Sequence, residues 1–422
     1  MRETLRVYLE MLPIGELYQT ADEGYQFCYD TSYLIEPTAR QLSLALPLTP
    51  NPFSPSVSRA FFSNLLPEGQ LRDHYAAKFR ISAEDDFALL KAIGGDCAGA
   101  VSLYSARMAP TAKDSARRYR PLTRGEQEQL LDEAYVMDPS FLGKEEHTRL
   151  SLAGMQDKLP IAIINEELCL PLDGAPSSHI LKPQNHRFPN LVENEAFCMA
   201  LARATGLDVP ATTILPIGDR AYIVERYDRV RDPQGQIIRL HQEDFCQASS
   251  VPPRQKYEIN GGPGHAECFS LISRCKNPLA DRIKLLKLIF FNLLIGNADA
   301  HAKNISLLYD SKSRHPSFAP AYDLVCTTVY DRVESEMAMK IGAAFHPRDI
   351  GRKDWQEFAK QIGGSEKIIV EPLKQMAEKL PEIAAVQAKR MVDQYGQNDI
   401  YPSILEKITQ RTSATLRCLT SN

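Results

Sequence analysis

The stretch Leu294-Ile-Gly-Asn-Ala-Asp-Ala-His-Ala-Lys-Asn304 is the most informative part of this chain for its fold, read together with Asp323 further along. It directly follows an apolar run whose periodicity predicts a helix over 280–296. An aspartate, four residues, an asparagine, and a second aspartate about twenty residues later form the spacing of phosphotransferases. The pattern therefore predicts a helix that is followed directly by a loop with the residues of a phosphotransferase.

The residue types in this stretch suit phosphoryl transfer. The reaction needs a carboxylate that orients and deprotonates the attacking hydroxyl, and hard oxygen ligands that hold Mg²⁺ against the phosphates. We predict Asp299 as the catalytic base, with Asn304 and Asp323 as catalytic residues that bind the metal. In a purely structural interpretation Asp299 caps a helix and His301 is a buried hydrogen-bonding residue, but this leaves the register of all four residues unexplained.

A nucleotide kinase also needs a backbone cradle and a cation for the phosphates of ATP. A glycine turn precedes a predicted strand, and Lys182 lies in an apolar strand where its charge requires an anion. Glu195 could orient Lys182, whereas Glu193 fits a helix amino terminus. Besides Lys182, the predicted phosphate-binding residues are Ser151, Leu152, Ala153, Gly154, Met155, Gln156, Asp157 and Lys158. A single glycine also suits an ordinary hairpin, and the turn is not a Walker sequence.

The adenine site is predicted where an apolar strand from Ala221 enters a charged linker. Glu225, Arg226 and Tyr227 occupy the position at which a kinase hinge offers backbone groups to the base. His301 is grouped with these nucleotide-contacting residues.

Composition excludes several classes of protein. A net charge of −4 favours neither a polyanion nor an anionic membrane as a direct partner. The nine cysteines include no CxxC pair, which indicates a reducing compartment. No leader pattern opens the chain, and the apolar run 285–295 is interrupted by Lys287 and much shorter than the roughly 20 residues of a membrane span. We expect a cytoplasmic protein without membrane contact.

The order of predicted elements gives an α+β fold of the two-lobed kinase type. Strands over 5–9 and 25–29 and a helix over 58–66 indicate an added α/β subdomain. Strands over 159–165, 167–172 and 178–182, a helix over 194–205, and a hairpin of 212–216 with 221–227 follow the order of a kinase amino-terminal lobe. The predicted domains are an amino-terminal subdomain (1–115), a kinase amino-terminal lobe (140–235) and a helical carboxyl-terminal lobe (236–422). The helical periodicity of the last lobe is clearest over 280–296, 354–362, 368–379 and 384–395.

The chain resembles the HipA family of bacterial type II toxin kinases over most of its length. The segments that carry the resemblance are 62–68, 99–102, 151–158, 179–182, 224–229, 240–247, 256–264, 294–304 and 322–323. The resemblance implies a phosphatidylinositol-kinase-like fold, ATP with Mg²⁺, and a serine or threonine acceptor on a translation-related protein such as an aminoacyl-tRNA synthetase.

The family also implies regulation and partners. Ser151 would be an autophosphorylation site whose modification switches the enzyme off, since a phosphate in the seat of the nucleotide phosphates opposes ATP binding. A helix-turn-helix antitoxin of the HipB type would be the partner, and operator DNA would be reached mainly through it. The loop departs from many members at Met155 and Asp157, where a small residue and a glutamate are usual.

Three other functions compete with this interpretation. The same residues suit a small-molecule or lipid kinase, although basic membrane-facing stretches are lacking. A catalytically weak ATP-binding corepressor that acts with the antitoxin is a second alternative. A metal hydrolase built on Asp299, His301 and Asp323 would explain neither Lys182 nor the hinge-like segment.

Overall fold

The structure is a computed structural model that describes residues 3–20, 24–105, 119–136, 158–172, 174–185, 187–218, 220–310, 313–331, 333 and 335–420. The elements of the amino-terminal part are β1 (Thr4–Leu9), β2 (Leu12–Gln19), β3 (Tyr25–Tyr29), α1 (Thr31–Leu34), α2 (Pro55–Ser63), α3 (Gly69–Phe79), α4 (Asp86–Ile93), β4 (Val101–Ser105), β5 (Tyr119–Pro121) and α5 (Arg124–Val136).

The middle of the chain is mixed. It contains β6 (Leu159–Ile164), β7 (Glu167–Pro171), β8 (His179–Pro183), α6 (Leu191–Ala204), β9 (Thr212–Leu215), β10 (Ala221–Glu225), β11 (Arg229–Arg231), β12 (Ile237–Arg239), β13 (His241–Asp244) and α7 (Phe245–Ala248). The remainder is mainly helical, with α8 (His265–Ile272), α9 (Pro278–Ile295), β14 (Ser306–Tyr309), β15 (Ser317–Phe318), α10 (Arg352–Gln361), α11 (Glu366–Tyr395) and α12 (Ile400–Thr420).

The described chain divides into two compact units. The first comprises the described residues within Met1–Pro183, Pro216–Arg254 and Leu308–Arg314, and the second comprises those within Gln184–Leu215, Gln255–Leu307 and His315–Asn422. The three domain ranges predicted from the sequence remain a prediction.

The first unit contains an antiparallel sheet in the order β3-β2-β1-β4. Residues of β1 and β3 alternate between buried and half-buried, as the sequence pattern predicts. The buried face packs with α2 and α4 into one core that includes Leu5, Phe27, Phe62 and Leu103. Helix α2 begins before the predicted residue 58, because Pro55 occupies its first turn and the Ser54 hydroxyl accepts a hydrogen bond from the Val57 amide.

A second antiparallel sheet in this unit has the order β5-β7-β6-β8-β10. It confirms the small sheet predicted between residues 159 and 182 to within a residue at each strand end. Strand β8 pairs with β6 on one side and with β10 on the other. Lys182 therefore lies on a central strand, directly opposite Tyr222.

The second unit is a helical assembly in which α11 packs against α6, α9 and α12. The sequence predicts separate helical runs over 368–379 and 384–395, but the structure has one helix of 30 residues with Pro372 and Pro381 inside it. Buried positions continue at helical spacing on both sides of Pro381, so packing outweighs the lost backbone hydrogen bond. Helix α12 is absent from the sequence prediction. No helix among the described residues is both long and apolar enough to cross a membrane.

Candidate active site

The loop that is predicted to carry the catalytic residues begins where α9 ends. This helix buries most of its last three turns and ends at Gly296, whose φ of +78° is left-handed. A Cβ at residue 296 would lie 2.3 Å from Thr328 Oγ1 and 2.8 Å from Arg411 Nε, so only glycine fits there. The chain therefore leaves the helix in a fixed direction and carries Asp299 out of the core.

Asp299 has one oxygen held and a side chain that is 41% exposed. The Tyr257 phenol donates a hydrogen bond of 2.5 Å to Asp299 Oδ1, and His301 Nε2 lies 3.8 Å from the same oxygen. The Asp299 amide donates to Asn297 Oδ1 at 3.2 Å, which fixes the backbone of the loop. A carboxylate arranged in this way can accept a proton from a substrate hydroxyl.

His301 lies on the buried side of the Asp299 carboxylate. Its side chain is 5% exposed, and its ring meets the Tyr257 ring edge to face at 5.2 Å between centroids. This environment suits a residue that supports Asp299. Its predicted contact with the nucleotide remains a prediction.

Asn304 and Asp323, the predicted metal ligands, lie in neighbouring segments. The Asn304 side-chain amide donates to the Asp299 carbonyl at 3.0 Å, which leaves its carbonyl oxygen as a possible ligand atom. Tyr322, next to Asp323, donates its hydroxyl to the carbonyl of Lys303, next to Asn304, at 2.8 Å.

The donor chemistry of this pair fits magnesium. The described residues include no cluster of three or more histidine, cysteine and acidic side chains suited to a metal. Two oxygen ligands suffice for Mg²⁺, because this ion keeps several waters and takes further oxygens from substrate phosphates.

Asn194 on α6 is a structural residue of this site that the sequence analysis missed. It is fully buried, and its amide nitrogen donates to the Cys326 carbonyl at 3.1 Å while its oxygen accepts from the Cys326 amide at 2.9 Å. The next residue, Thr327, accepts from the Ala298 amide at 2.8 Å and donates to the Gly296 carbonyl at 3.1 Å. A continuous hydrogen-bonded path thus runs from α6 to the residue before Asp299.

The nucleotide-binding residues predicted in the first unit are only partly described. Ser151, Leu152, Ala153, Gly154, Met155, Gln156 and Asp157 lie outside the described residues. Lys158 directly precedes β6 and is half-buried. The Lys182 side chain is buried, with its ammonium 5.9 Å from the centre of the Tyr222 ring.

The segment predicted as the hinge has two kinds of residue. Glu225 is exposed and Tyr227 is half-buried, but Arg226 is 3% exposed. The Arg226 amide donates to the Ser178 carbonyl at 2.9 Å, and its carbonyl accepts from the Arg229 amide at 3.1 Å. Both backbone groups of Arg226 are therefore engaged within the protein.

The Arg226 side chain belongs to a buried ionic cluster formed by Asp96, Asp228, Arg226, Arg229 and Arg239. Arg226 makes a bidentate contact with Asp228 at 2.8 and 2.9 Å. Asp96 accepts from Arg239 at 2.9 Å and from Arg229 at 3.2 Å. Burial alone would raise the pKa of Asp96, but the three arginines outweigh it and lower that pKa below its usual value.

Family models match both parts of the chain. The model for the HipA N-terminal domain matches residues 5–104, and the model for the HipA-like C-terminal domain matches residues 150–384. The second match alone covers more than half of the sequence.

Relatives and a solved structure agree with these matches. A Sinorhizobium fredii protein named as a kinase, Y4mE, is 41% identical over 85% of this chain and 86% of its own length. The serine/threonine-protein kinase toxin HipA of Shewanella oneidensis is 32% identical over 90% of this chain and 88% of its own. The structure of HipA from the complex of Shewanella oneidensis HipA, HipB and operator DNA superposes with a TM-score of 0.82, covering 98% of this chain and 97% of that one at 30% identity.

Fold and relatives together define the class: the protein is a kinase with an α+β fold, an added amino-terminal α/β part and a mainly helical carboxyl-terminal part. More particularly, the chain belongs to the HipA family. The family resemblance seen in its motifs is thereby confirmed.

Proposed function

We propose that this protein is a toxin-type serine/threonine-protein kinase that transfers the γ-phosphate of ATP to a hydroxyl of a translation-related protein, such as an aminoacyl-tRNA synthetase. The observation that supports this most strongly is Asp299, a carboxylate with one oxygen held by Tyr257 and an exposed side chain. The named activity of the Shewanella oneidensis relative points to a serine or threonine acceptor.

Asp299 acts as the base in this proposal. The acceptor hydroxyl gives its proton to the free oxygen of Asp299, its oxygen bonds to the γ-phosphorus, and the bond to the oxygen that bridges the β- and γ-phosphorus breaks to release ADP. Asn304 and Asp323 would hold Mg²⁺, which supplies positive charge to the phosphate oxygens when bound. His301 supports Asp299 from its buried side.

ATP is held by the residues predicted for it in the first unit. The loop from Ser151 to Lys158 and the ammonium of Lys182 would bind the phosphates. At the hinge, Glu225 and Tyr227 would contact adenine directly, whereas Arg226 would contribute by fixing the segment, since its own groups are engaged.

Regulation is proposed to follow the family. Autophosphorylation of Ser151 would inactivate the kinase by placing a phosphate of about −1.5 to −2 charges in the phosphate seat. The structural relative was solved with HipB and operator DNA. We therefore propose a helix-turn-helix antitoxin as the partner, with DNA contacted mainly through it and the complex located in the cytoplasm.

The test is transfer of labelled γ-phosphate from ATP by the purified chain with Mg²⁺ and cell extract, followed by mapping of the labelled residues. We expect label on a serine or threonine of a translation protein and on Ser151. The Ser151→Ala variant should continue to transfer phosphate for longer than the wild type. Conversion of Ser413, on helix α12, to alanine is the matched control and should behave as the wild type. ATP binding without label on any protein would instead favour the corepressor or a small-molecule kinase.

A further inference from the structure

The loop 256–264, Lys-Tyr-Glu-Ile-Asn-Gly-Gly-Pro-Gly, supplies no reacting group to the proposed phosphate transfer. Its Tyr257 hydroxyl donates the 2.5 Å hydrogen bond to Asp299 Oδ1. We propose that Tyr257 is a positioning residue for the catalytic base: it holds Oδ1 so that Oδ2 faces the acceptor hydroxyl. This inference rests on the proposed function.

Backbone hydrogen bonds place Tyr257 at the base. The amide of Glu258, next to Tyr257, donates to the Ala338 carbonyl at 3.0 Å. The Ala338 amide in turn donates to the carbonyl of Ala298, next to Asp299, also at 3.0 Å. The neighbours of the tyrosine and of the aspartate are thus hydrogen-bonded to the same residue, Ala338.

A side-chain contact strengthens this attachment. The Glu258 carboxylate accepts from the Lys340 amide at 2.9 Å and lies 3.1 Å from the Lys340 ammonium. The segment around Ala338 is therefore held at two points by the residue that follows Tyr257.

The glycines of the loop close it tightly behind the tyrosine. The Gly262 amide donates to the Tyr257 carbonyl at 2.9 Å, and Gly261 has a left-handed φ of +88°. A Cβ at residue 262 would lie 2.2 Å from the Gln255 carbonyl oxygen. The motif needs glycine here because the chain returns on itself within contact distance.

Ring contacts restrict the phenol further. The Tyr257 ring packs edge to face on the buried His301 ring, and the Lys256 ammonium lies 5.7 Å from the centre of the same tyrosine ring. Loop and rings together therefore fix the hydroxyl before any substrate binds.

A fixed donor on one oxygen has a chemical consequence. A free carboxylate rotates about its last bond, so its proton-accepting lone pair is aligned for only part of the time. With Oδ1 bound to the phenol, the proton of the acceptor passes to Oδ2 while Tyr257 keeps its own proton. Tyr257 acts through Asp299, and its loss should affect the transfer step and leave ATP binding unchanged.

The experiment uses Tyr257→Phe in the full chain, which removes one hydroxyl and keeps the ring. With labelled ATP, Mg²⁺ and a fixed amount of cell extract, we expect kcat to fall roughly ten- to hundredfold while KM for ATP stays within about twofold. The matched control is Tyr395→Phe on α11. The hydroxyl that it removes accepts a hydrogen bond from the Gln394 side chain, and its kcat and KM should equal those of the wild type.

A second measurement separates positioning from general damage. In an Asp299→Asn background, the residual rate of labelling measured over hours should not fall further when Tyr257→Phe is added. Undiminished kcat in the single variant, a rise in KM for ATP alone, or an equal additional loss in both backgrounds would overturn the inference. If the proposed function itself is wrong, the wild type will label no protein, which distinguishes that outcome from a failure of the inference about Tyr257.

Discussion

Two aspartates of this chain, Asp96 and Asp299, lie in opposite environments. The Asp96 side chain is 0% exposed and meets Arg226, Arg229 and Arg239, whereas Asp299 is 41% exposed and meets a phenol and a histidine. The comparison shows that a strongly charged motif, such as the one around Asp96, can have a purely structural role. A carboxylate enclosed by guanidinium groups cannot reach a substrate, while one with a single oxygen held remains accessible.

The surroundings of the two aspartates also differ in the interactions that hold the neighbouring segments together. The cluster around Asp96 joins the loop after α4 to the segment that follows β10, with Gly99 donating its amide to Asp228 at 2.8 Å. The loop around Asp299 is organised mainly by neutral donors and acceptors, among them Asn297 and Thr327. Ion pairs thus connect these segments of the first unit, whereas neutral hydrogen bonds orient the carboxylate of Asp299.

The largest expected effect on stability comes from Asp96→Asn. The substitution leaves three buried or half-buried guanidinium groups without their shared anion, which we expect to cost about 3–5 kcal/mol of unfolding free energy. Urea unfolding, monitored by far-ultraviolet circular dichroism, measures this change in unfolding free energy. Trp355, the single tryptophan, lies in the second unit and reports that unit separately by fluorescence.

The matched control for this prediction is Glu84→Gln, which removes the carboxylate of the exposed pair with Arg254. Exposed pairs contribute little, so its unfolding midpoint should equal that of the wild type within error. Equal effects of the two variants would mean that the buried cluster is not a source of stability.

A smaller effect is expected from Glu243, which extends the comparison to a buried carboxyl without a cation among its hydrogen-bond partners. It accepts from the Ser43 hydroxyl at 2.5 Å, the Leu44 amide at 3.0 Å and the Tyr309 hydroxyl. Burial raises its pKa from 4.5 to about 7 despite these donors.

This raised pKa predicts a pH dependence of stability. Between about pH 4.5 and pH 7 the folded chain binds this proton more tightly than the unfolded chain, so the group's contribution is present at low pH and lost as pH rises through 7. The loss amounts to roughly 3 kcal/mol of unfolding free energy. Glu243→Gln stays uncharged and should remove this part of the slope between pH 5 and 8 in urea unfolding. An unchanged slope would contradict the assignment.

Much of the fold could be predicted because it depends on local periodicity. Strand β3 and the strands β6 to β8 lie within a residue of their predicted bounds, since alternation and turn residues are visible in the sequence. Helix α11 could not be predicted as one helix, because the packing that overrides Pro381 comes from helices distant in sequence.

The residues of the candidate site likewise fall into those that could be predicted from the sequence and those that could not. Asp299, Asn304 and Asp323 form a spacing that a single sequence reveals. The contacts of Asn194 with Cys326 and of Tyr257 with Asp299 join residues 132 and 42 positions apart, and no local pattern carries that information. The segment at Arg226 is predicted to be a hinge from its sequence, but only its surroundings show that the charge of Arg226 points inward.

The role of Asp299 as the base is tested by Asp299→Asn, the same substitution as at Asp96, measured for both phosphate transfer and unfolding. We expect kcat for protein labelling to fall roughly a hundred- to ten-thousandfold, with ATP still bound and the unfolding midpoint unchanged. Undiminished labelling by Asp299→Asn would contradict this role, because it would mean that another group accepts the proton of the acceptor hydroxyl.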